Sequence, residues 1–296
     1  MSDVILLDGG MGQELVHRAG DRPTPLWSTQ VMRDHPGMVQ SVHADFFAAG
    51  ATIATTNTYA IHHDRLINTG IEGQFKQLHS RALEEAKAAR AAHGSGRIAG
   101  AIGPLRQSYR PDLHPVSRTA VPLFAEVAHL LAPHCDLLIL ETVASVQHAR
   151  DALTAAKETD LPVWLSVTVS DSDGTKLRSG EDIAAVAAVA EGADAVLVNC
   201  SAPEAVTKAL PIIGEFGKPF GGYANGFVQI TEDFLKSKPT VDTLTARRDM
   251  GPRAYAGYVM EWVAAGATIV GGCCEVGPAH IAEIASRLTA TGHKIV

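Results

Sequence analysis

Short, uniformly apolar runs recur along the chain with amphipathic stretches between them, and this alternation limits the fold more than any other feature. The runs lie at residues 4–7, 51–55, 97–102, 137–140, 162–169, 195–200, 219–224 and 268–270, eight in all. A strand that is apolar at every position has to be covered on both faces, which is the condition of a parallel sheet. The intervening segments carry helical periodicity. Residues 38–49 place Val39, Val42, Phe46 and Phe47 on one side and stop at Gly50. Comparable patterns span 75–92, 121–131, 145–157, 181–190, 203–216 and 253–265, and another opens at Pro278. Eight such units in 296 residues, with no Pro/Ser-rich linker and no shift of composition, predict one domain, 1–296, folded as an α/β (β/α)8 TIM barrel.

In such a barrel the C-terminal strand ends converge on one face, which carries the chemistry. Here that face collects Asp8, Gly9 and Gly10 after the first strand, Thr56 and Asn57 after the second, then Gly103, Glu141, Cys200 and Asn225, and Cys273 with Cys274 after the eighth. The run Gly271, Gly272, Cys273, Cys274 is the most constrained of these. A disulfide between neighbouring cysteines is strained, and glycines at a strand end imply close approach of the backbone to something. The other strand that ends in sulfur ends at Cys200, two strands away. Three thiolates so placed describe a zinc site with about 2.3 Å per Zn–S bond and the fourth tetrahedral position open. A lone cysteine is more often a small buried hydrophobe, and Cys135, which precedes a strand, reads that way. Zn2+ with three thiolates carries a net charge of −1, a poor setting for making hydroxide. It suits an incoming thiol bound as thiolate, which would attack a cationic carbon donor. Glu141 fits an ammonium group, and the amides of the glycine turn fit a carboxylate. A solvated rim charge at Glu141 and a turn cap at Asp8 are the plainer alternatives from position alone.

The formal charge is −7 and the longest basic run is Arg247 with Arg248, so a nucleic-acid partner finds no electrostatic footprint. No apolar run approaches the roughly 20 residues of a membrane span, and the first residues lack a signal-peptide pattern. Four cysteines, two of them adjacent, fit a reducing compartment, so the expected location is cytoplasmic. Two long irregular stretches, 103–122 and 226–252, follow strands and are the expected lids.

Taken together, Leu-Leu-Asp-Gly-Gly-Met-Gly at 6–12, Thr-Asn-Thr-Tyr at 56–59, Gly-Pro at 103–104, Glu-Thr at 141–142, Val-Asn-Cys at 198–200 and Gly-Gly-Cys-Cys at 271–274 form a pattern. Over almost its whole length the chain resembles the homocysteine S-methyltransferase family, which includes S-methylmethionine-dependent, betaine-dependent and cobalamin-dependent enzymes. The resemblance implies a (β/α)8 barrel with zinc on Cys200, Cys273 and Cys274, homocysteine thiolate as the fourth ligand, and methyl transfer giving methionine. By position, Asp8, Gly9, Thr56 and Glu141 match family residues that contact homocysteine, with Gly10 in the same turn. Asn225 matches a Tyr-x-Asn segment near the metal and is a candidate oxygen ligand before the thiol arrives. The segment around Leu26, Trp27 and Ser28 looks most like the single-domain S-methylmethionine enzymes. Trp27 and Tyr59 offer ring faces to a sulfonium or ammonium donor. S-Methylmethionine and S-adenosylmethionine lead as donors, and betaine and dimethylsulfonio compounds stay open. So do a different thiol or selenol acceptor, a zinc-dependent lyase and a barrel that only stores zinc.

Overall fold

The computed structural model describes residues 2–21, 24–236, 240 and 243–296. Each of the eight apolar runs is a strand: β1 (Asp3–Leu6), β2 (Ile53–Thr55), β3 (Arg97–Ile102), β4 (Leu137–Val143), β5 (Val163–Val167), β6 (Ala195–Asn199), β7 (Phe220–Tyr223) and β8 (Ile269–Val270). They pair in parallel and in sequence from β2 to β8, and β8 pairs with β1 through Ile5–Ile269 and Leu6–Val270. A parallel bridge between Leu7 and Ile53 closes the ring, reinforced by the Thr52 amide donating to the Leu6 carbonyl at 2.7 Å. The result is the expected (β/α)8 barrel.

The two faces of these strands explain why alternation is absent from the sequence. Leu7, Ile53, Ala99, Ala101, Leu137, Ile139, Trp164, Ala195, Leu197 and Ile269 fill the interior of the ring. The residues between them, such as Ile98, Leu138, Leu140, Val163, Leu165, Val196 and Val198, pack with the surrounding helices. Side chains alternate sides at every step, yet neither side meets water.

The helices are α1 (Met11–Ala19), α2 (Ser28–Asp34), α3 (Met38–Ala48), α4 (His63–Leu66), α5 (Phe75–His93), α6 (Ser117–Leu131), α7 (Val146–Ala156), α8 (Ala187–Ala190), α9 (Pro203–Gly214), α10 (Pro252–Ala264) and α11 (Pro278–Ala290). Helix α5 shows the logic: Phe75, Leu78, Ala82, Leu83, Ala86 and Ala89 recur at helical spacing and are buried, and Gly94 ends the helix at φ 85°. Helix α7 is started by the Ser145 hydroxyl, which accepts the His148 amide at 3.1 Å, a cap contributing about 1 kcal/mol.

Four features depart from the sequence reading. The glycine-rich stretch after β1 does not remain a turn. It enters α1 at Met11, where Met11, Leu15 and Val16 are buried despite a start without a side-chain cap. Helix α6 begins at Ser117 instead of 121 and carries Pro122 inside it, so the first expected lid shortens to 103–116. The 181–190 segment is a 3-10 turn, Ile183–Val186, followed by the single α-helical turn of α8. A ninth strand, β9 (Lys294–Ile295), pairs with β1 outside the ring. Of the second expected lid, residues 237–239, 241 and 242 lie outside the described residues.

Candidate active site and metal centre

At the C-terminal mouth, β6 ends in Asn199 and the chain turns at Cys200 with a left-handed φ of 49°. The Asn199 side chain fixes this end. Its Oδ1 accepts the Thr142 amide at 2.9 Å and the Ser166 hydroxyl at 2.9 Å, and its Nδ2 donates to the Thr142 hydroxyl at 3.2 Å. Thr142 follows Glu141 on β4, so one buried amide ties the carboxylate strand to the cysteine strand across β5. The cysteine pair is fastened on both sides, with the Cys273 amide donating to the Ala224 carbonyl at 2.9 Å and the Gly272 amide to the Asp8 carbonyl at 3.0 Å. A β-carbon at Gly10 would stand 2.4 Å from the Cys273 carbonyl oxygen, so the first turn must be glycine to approach this closely.

These contacts bring the ligand atoms of Cys200, Cys273 and Cys274 within 4.8 Å of one another. Two sulfurs on a tetrahedral ion with bonds of about 2.3 Å stand about 3.8 Å apart. Without a cation the three cannot all ionise. Hydrogen bonds from the Cys273 and Cys274 thiols hold Cys200 well below the ordinary thiol range. The same contact with Cys200 pushes Cys273 and Cys274 well above it. A soft divalent cation is what replaces the two retained protons, so the donor set fits a metal. Cys135 sits apart, its thiol pushed up to about 12 by burial.

Behind Cys200 stands an ion pair that the sequence did not disclose. Arg178 makes a two-pronged contact with Asp171 at 3.0 and 3.0 Å, reaches the Cys200 carbonyl at 3.4 Å, and lies 5.2 Å above the Tyr109 ring. Asp171 also accepts the amides of Ala202 at 2.9 Å and Ile230 at 3.1 Å. Arg178 therefore positions the cysteine loop. Arg178→Gln should weaken metal retention about tenfold or more, the usual scale for support residues around a metal. Competition with a chromophoric chelator measures this, and retention equal to the unsubstituted protein would remove Arg178 from the account.

The cysteines open into a cavity of about 550 Å3 whose wall includes Asp8, Gly9, Gly10, Trp27, Thr56, Tyr59 and Glu141. Glu141 is 9% exposed, and its hydrogen-bond partner among the described residues is the Tyr223 hydroxyl, 3.0 Å from Oε1. Burial, with the Cys200 charge adding to it, pushes its carboxyl up to about 8. A buried carboxylate with so little compensation is set for a cationic ligand. Asp8 is pushed up to about 7 by burial, but both its oxygens are occupied, accepting the Thr55 amide and hydroxyl at 2.7 Å each. His43 stands 4.0 Å away, held neutral by burial that lowers it to about 3.

The other sequence-derived residues divide by geometry. The Gly10 amide is spent on the Val276 carbonyl at 2.9 Å, while the neighbouring Gly9 amide has no such partner among the described residues. The Thr56 hydroxyl accepts the Ala101 amide at 3.0 Å and lies 2.7 Å from the Thr58 hydroxyl. Trp27 and Tyr59 meet edge to face, ring centroids 6.2 Å apart. Asn225 is buried away from the cavity wall, and its Oδ1 accepts the Phe227 amide at 3.2 Å. Sequence reasoning missed Arg65, Tyr109, Asn199 and Tyr223 as parts of the site. One signal, visible only in three dimensions, marks the region. Of the non-glycine residues with positive φ, Trp27, Asn68, Arg106, Tyr109 and Cys200 line the cavity, while Thr142 and Glu275 adjoin Glu141 and Cys274. Such strain costs about 1–3 kcal/mol per residue and gathers at functional sites.

No helix among the described residues is long and apolar enough to cross a membrane. A family model described as homocysteine S-methyltransferase matches residues 5–288. The homocysteine S-methyltransferase of Escherichia coli is 32% identical, over 96% of this chain and 95% of that protein. Betaine–homocysteine S-methyltransferase 1 of Danio rerio is 26% identical, over 97% of this chain and 74% of that one. The crystal structure of the E. coli homocysteine methyltransferase MmuM in its metallated form superposes with a TM-score of 0.79 at 28% identity, covering 97% of this chain and 96% of that one. With its barrel, its three-sulfur cluster and matches of this extent, the chain belongs to the homocysteine S-methyltransferase family.

Proposed function

We propose that this protein, acting as one domain over residues 1–296, moves a methyl group from a sulfonium donor to the thiol of homocysteine and so forms methionine. The observation that carries this reading is the three-sulfur cluster sharing one cavity with the uncompensated carboxylate of Glu141. Zinc held by Cys200, Cys273 and Cys274 would supply a soft cation that takes the acceptor thiol as thiolate at neutral pH. Glu141 receives the acceptor's ammonium group, with the Tyr223 hydroxyl fixing one of its oxygens. The Gly9 amide, at the threshold of α1, receives its carboxylate. Asp8 and Thr56 shape that pocket through their bonds to Thr55 and Ala101. Trp27 and Tyr59 turn aromatic surface towards the cationic donor.

In the transfer the acceptor sulfur forms a bond to the methyl carbon, and the electron pair of the breaking C–S bond returns to the donor sulfur. The donor starts positive and ends neutral, so charge falls on both partners as the methyl passes. S-Methylmethionine meets this condition most simply, with S-adenosylmethionine second. Purified, zinc-loaded protein supplied with homocysteine should form methionine faster from S-methylmethionine than from glycine betaine at equal concentration. The reverse order would move the chain to betaine-type donors, and no turnover with any onium compound would defeat the reading.

A further inference from the structure

Away from the cysteines, the cavity wall passes to α4 and the loop after β3, where it includes Arg65, Ser108 and Tyr109. Arg65 is partly buried there with its guanidinium locked in place. Its Nε donates to the Pro104 carbonyl at 2.9 Å, one terminal nitrogen donates to the Ser108 hydroxyl at 3.1 Å, and the group lies 5.6 Å above the Tyr59 ring. Ser108 in turn is 2.8 Å from the Tyr59 hydroxyl, so ring and guanidinium are held by one side chain. These partners are neutral, and among the described residues no carboxylate lies within ion-pair distance of Arg65. The neighbouring Asp64 turns its Oδ2 to Arg106, 2.7 Å from the amide and 3.6 Å from the side chain, while its Oδ1 is buried without a hydrogen-bond partner and its charge acts on Arg65 through space only. Burial opposes the charge of Arg65, but a guanidinium cannot escape by losing its proton. A fixed, desolvated guanidinium with a free terminal nitrogen is a fitted seat for a carboxylate.

The cavity thus has two poles. Glu141 marks the cysteine side with a carboxyl group set for a cation, Arg65 marks the other with a guanidinium beside Asp64, and Tyr59 lies under Arg65 with Trp27 against its edge. We propose that Arg65 binds the carboxylate of the methyl donor, so that the donor is a carboxylated onium compound lying across Tyr59 towards the cysteines. This rests on the methyl-transfer reading above and adds to it the residue that anchors the donor's carboxylate. Ser108 acts as a positioning residue for both the guanidinium and the ring.

The test uses zinc-loaded full-length protein, its Arg65→Met and Arg65→Lys variants, and two donors, S-methylmethionine and trimethylsulfonium, which has no carboxylate. Arg65→Met should raise the KM for S-methylmethionine tenfold or more and move the KM for homocysteine far less. It should also shrink the ratio of kcat/KM for S-methylmethionine over trimethylsulfonium tenfold or more, and Arg65→Lys should recover part of that ratio. Calorimetric titration of S-methylmethionine without homocysteine reads the same site independently of turnover, and Arg65→Met should weaken that binding tenfold or more. An unchanged ratio, a change confined to the homocysteine KM, or equal binding by unsubstituted and Arg65→Met protein would overturn the assignment. So would failure of the unsubstituted protein to bind any carboxylated onium compound. Arg65-dependent binding without any methionine formed would instead sink the transfer reading and leave the carboxylate site standing.

Discussion

Replacing Cys200, Cys273 or Cys274 singly by alanine should empty the metal site and reduce methyl transfer to the background rate while the barrel stays folded. Each variant leaves two sulfurs for an ion that needs at least three protein ligands in an open catalytic site. The fold does not depend on these side chains, since the ring of strands closes through backbone pairs and buries its own interior. Stability should nevertheless fall relative to the loaded protein, because a metal present at a thousand times its dissociation constant contributes about 4 kcal/mol to the native state. Metal content by mass spectrometry, methionine formation and thermal melts read the three effects separately. Full metal occupancy in all three variants would sink the assignment. Cys135→Ala is the control: its sulfur packs beside Gly100 and Leu131, so its loss should cost about 1 kcal/mol of packing and leave metal and turnover unchanged.

Glu141→Gln should weaken homocysteine binding by about 1–3 kcal/mol, the range for a hydrogen bond to a charged group, with metal still bound. The amide keeps the size of the carboxylate and an acceptor for the Tyr223 hydroxyl, so the change isolates charge. The same substitution should alter the pH dependence of stability in the ligand-free protein. Folding raises the Glu141 carboxyl from its ordinary 4.5 to about 8, chiefly through burial. The folded state therefore holds its proton more tightly than the unfolded chain does. The destabilisation is absent below the ordinary value, grows as the pH rises, and is complete above about 8. Asp8, raised to about 7, adds a slope of the same sign that ends one unit earlier. Thermal melts between pH 5 and 9 should show the Glu141→Gln variant gaining on the unsubstituted protein as pH rises. Equal homocysteine affinity in the two proteins would reduce Glu141 to a charge on the rim.

The barrel was legible in the sequence because a parallel ring buries both faces of every strand, and eight uninterrupted apolar runs leave few other ways to do so. The three-sulfur cluster was legible because cysteines are chemically distinctive and each of the three follows such a run. What escaped notice carries no periodic signal. Helix α1 begins among glycines that ordinarily break helices, and α4 has only four residues, so nothing marked Arg65 as facing a cavity. Tyr223 closes a strand made mostly of small residues, and its bond to Glu141 joins positions far apart in the chain. At Asn225 the sequence placed the residue at a strand end but could not show that its Oδ1 accepts the Phe227 amide. The left-handed turns at Cys200, Thr142 and Tyr109 depend on tertiary contacts and leave no mark in residue type.

The closing strand has a consequence for how the molecule is made. β1 precedes the other strands of the ring in the chain, yet its neighbours β8 and β9, one on each side, pair Ile269 with Ile5 and Lys294 with Asp3. β1 must wait more than 260 residues, from Ile5 to Ile269, before its pairing with β8 can form, and contacts so distant in sequence are slow to form. Cys273 and Cys274 follow directly on β8, held between the ends of β7 and β1. The cluster cannot assemble on a partly made chain, however much of the barrel has already collapsed. Completion of the three-sulfur cluster is therefore tied to the moment the ring shuts, and an intermediate lacking β8 has only Cys200 of the three sulfurs to offer an ion.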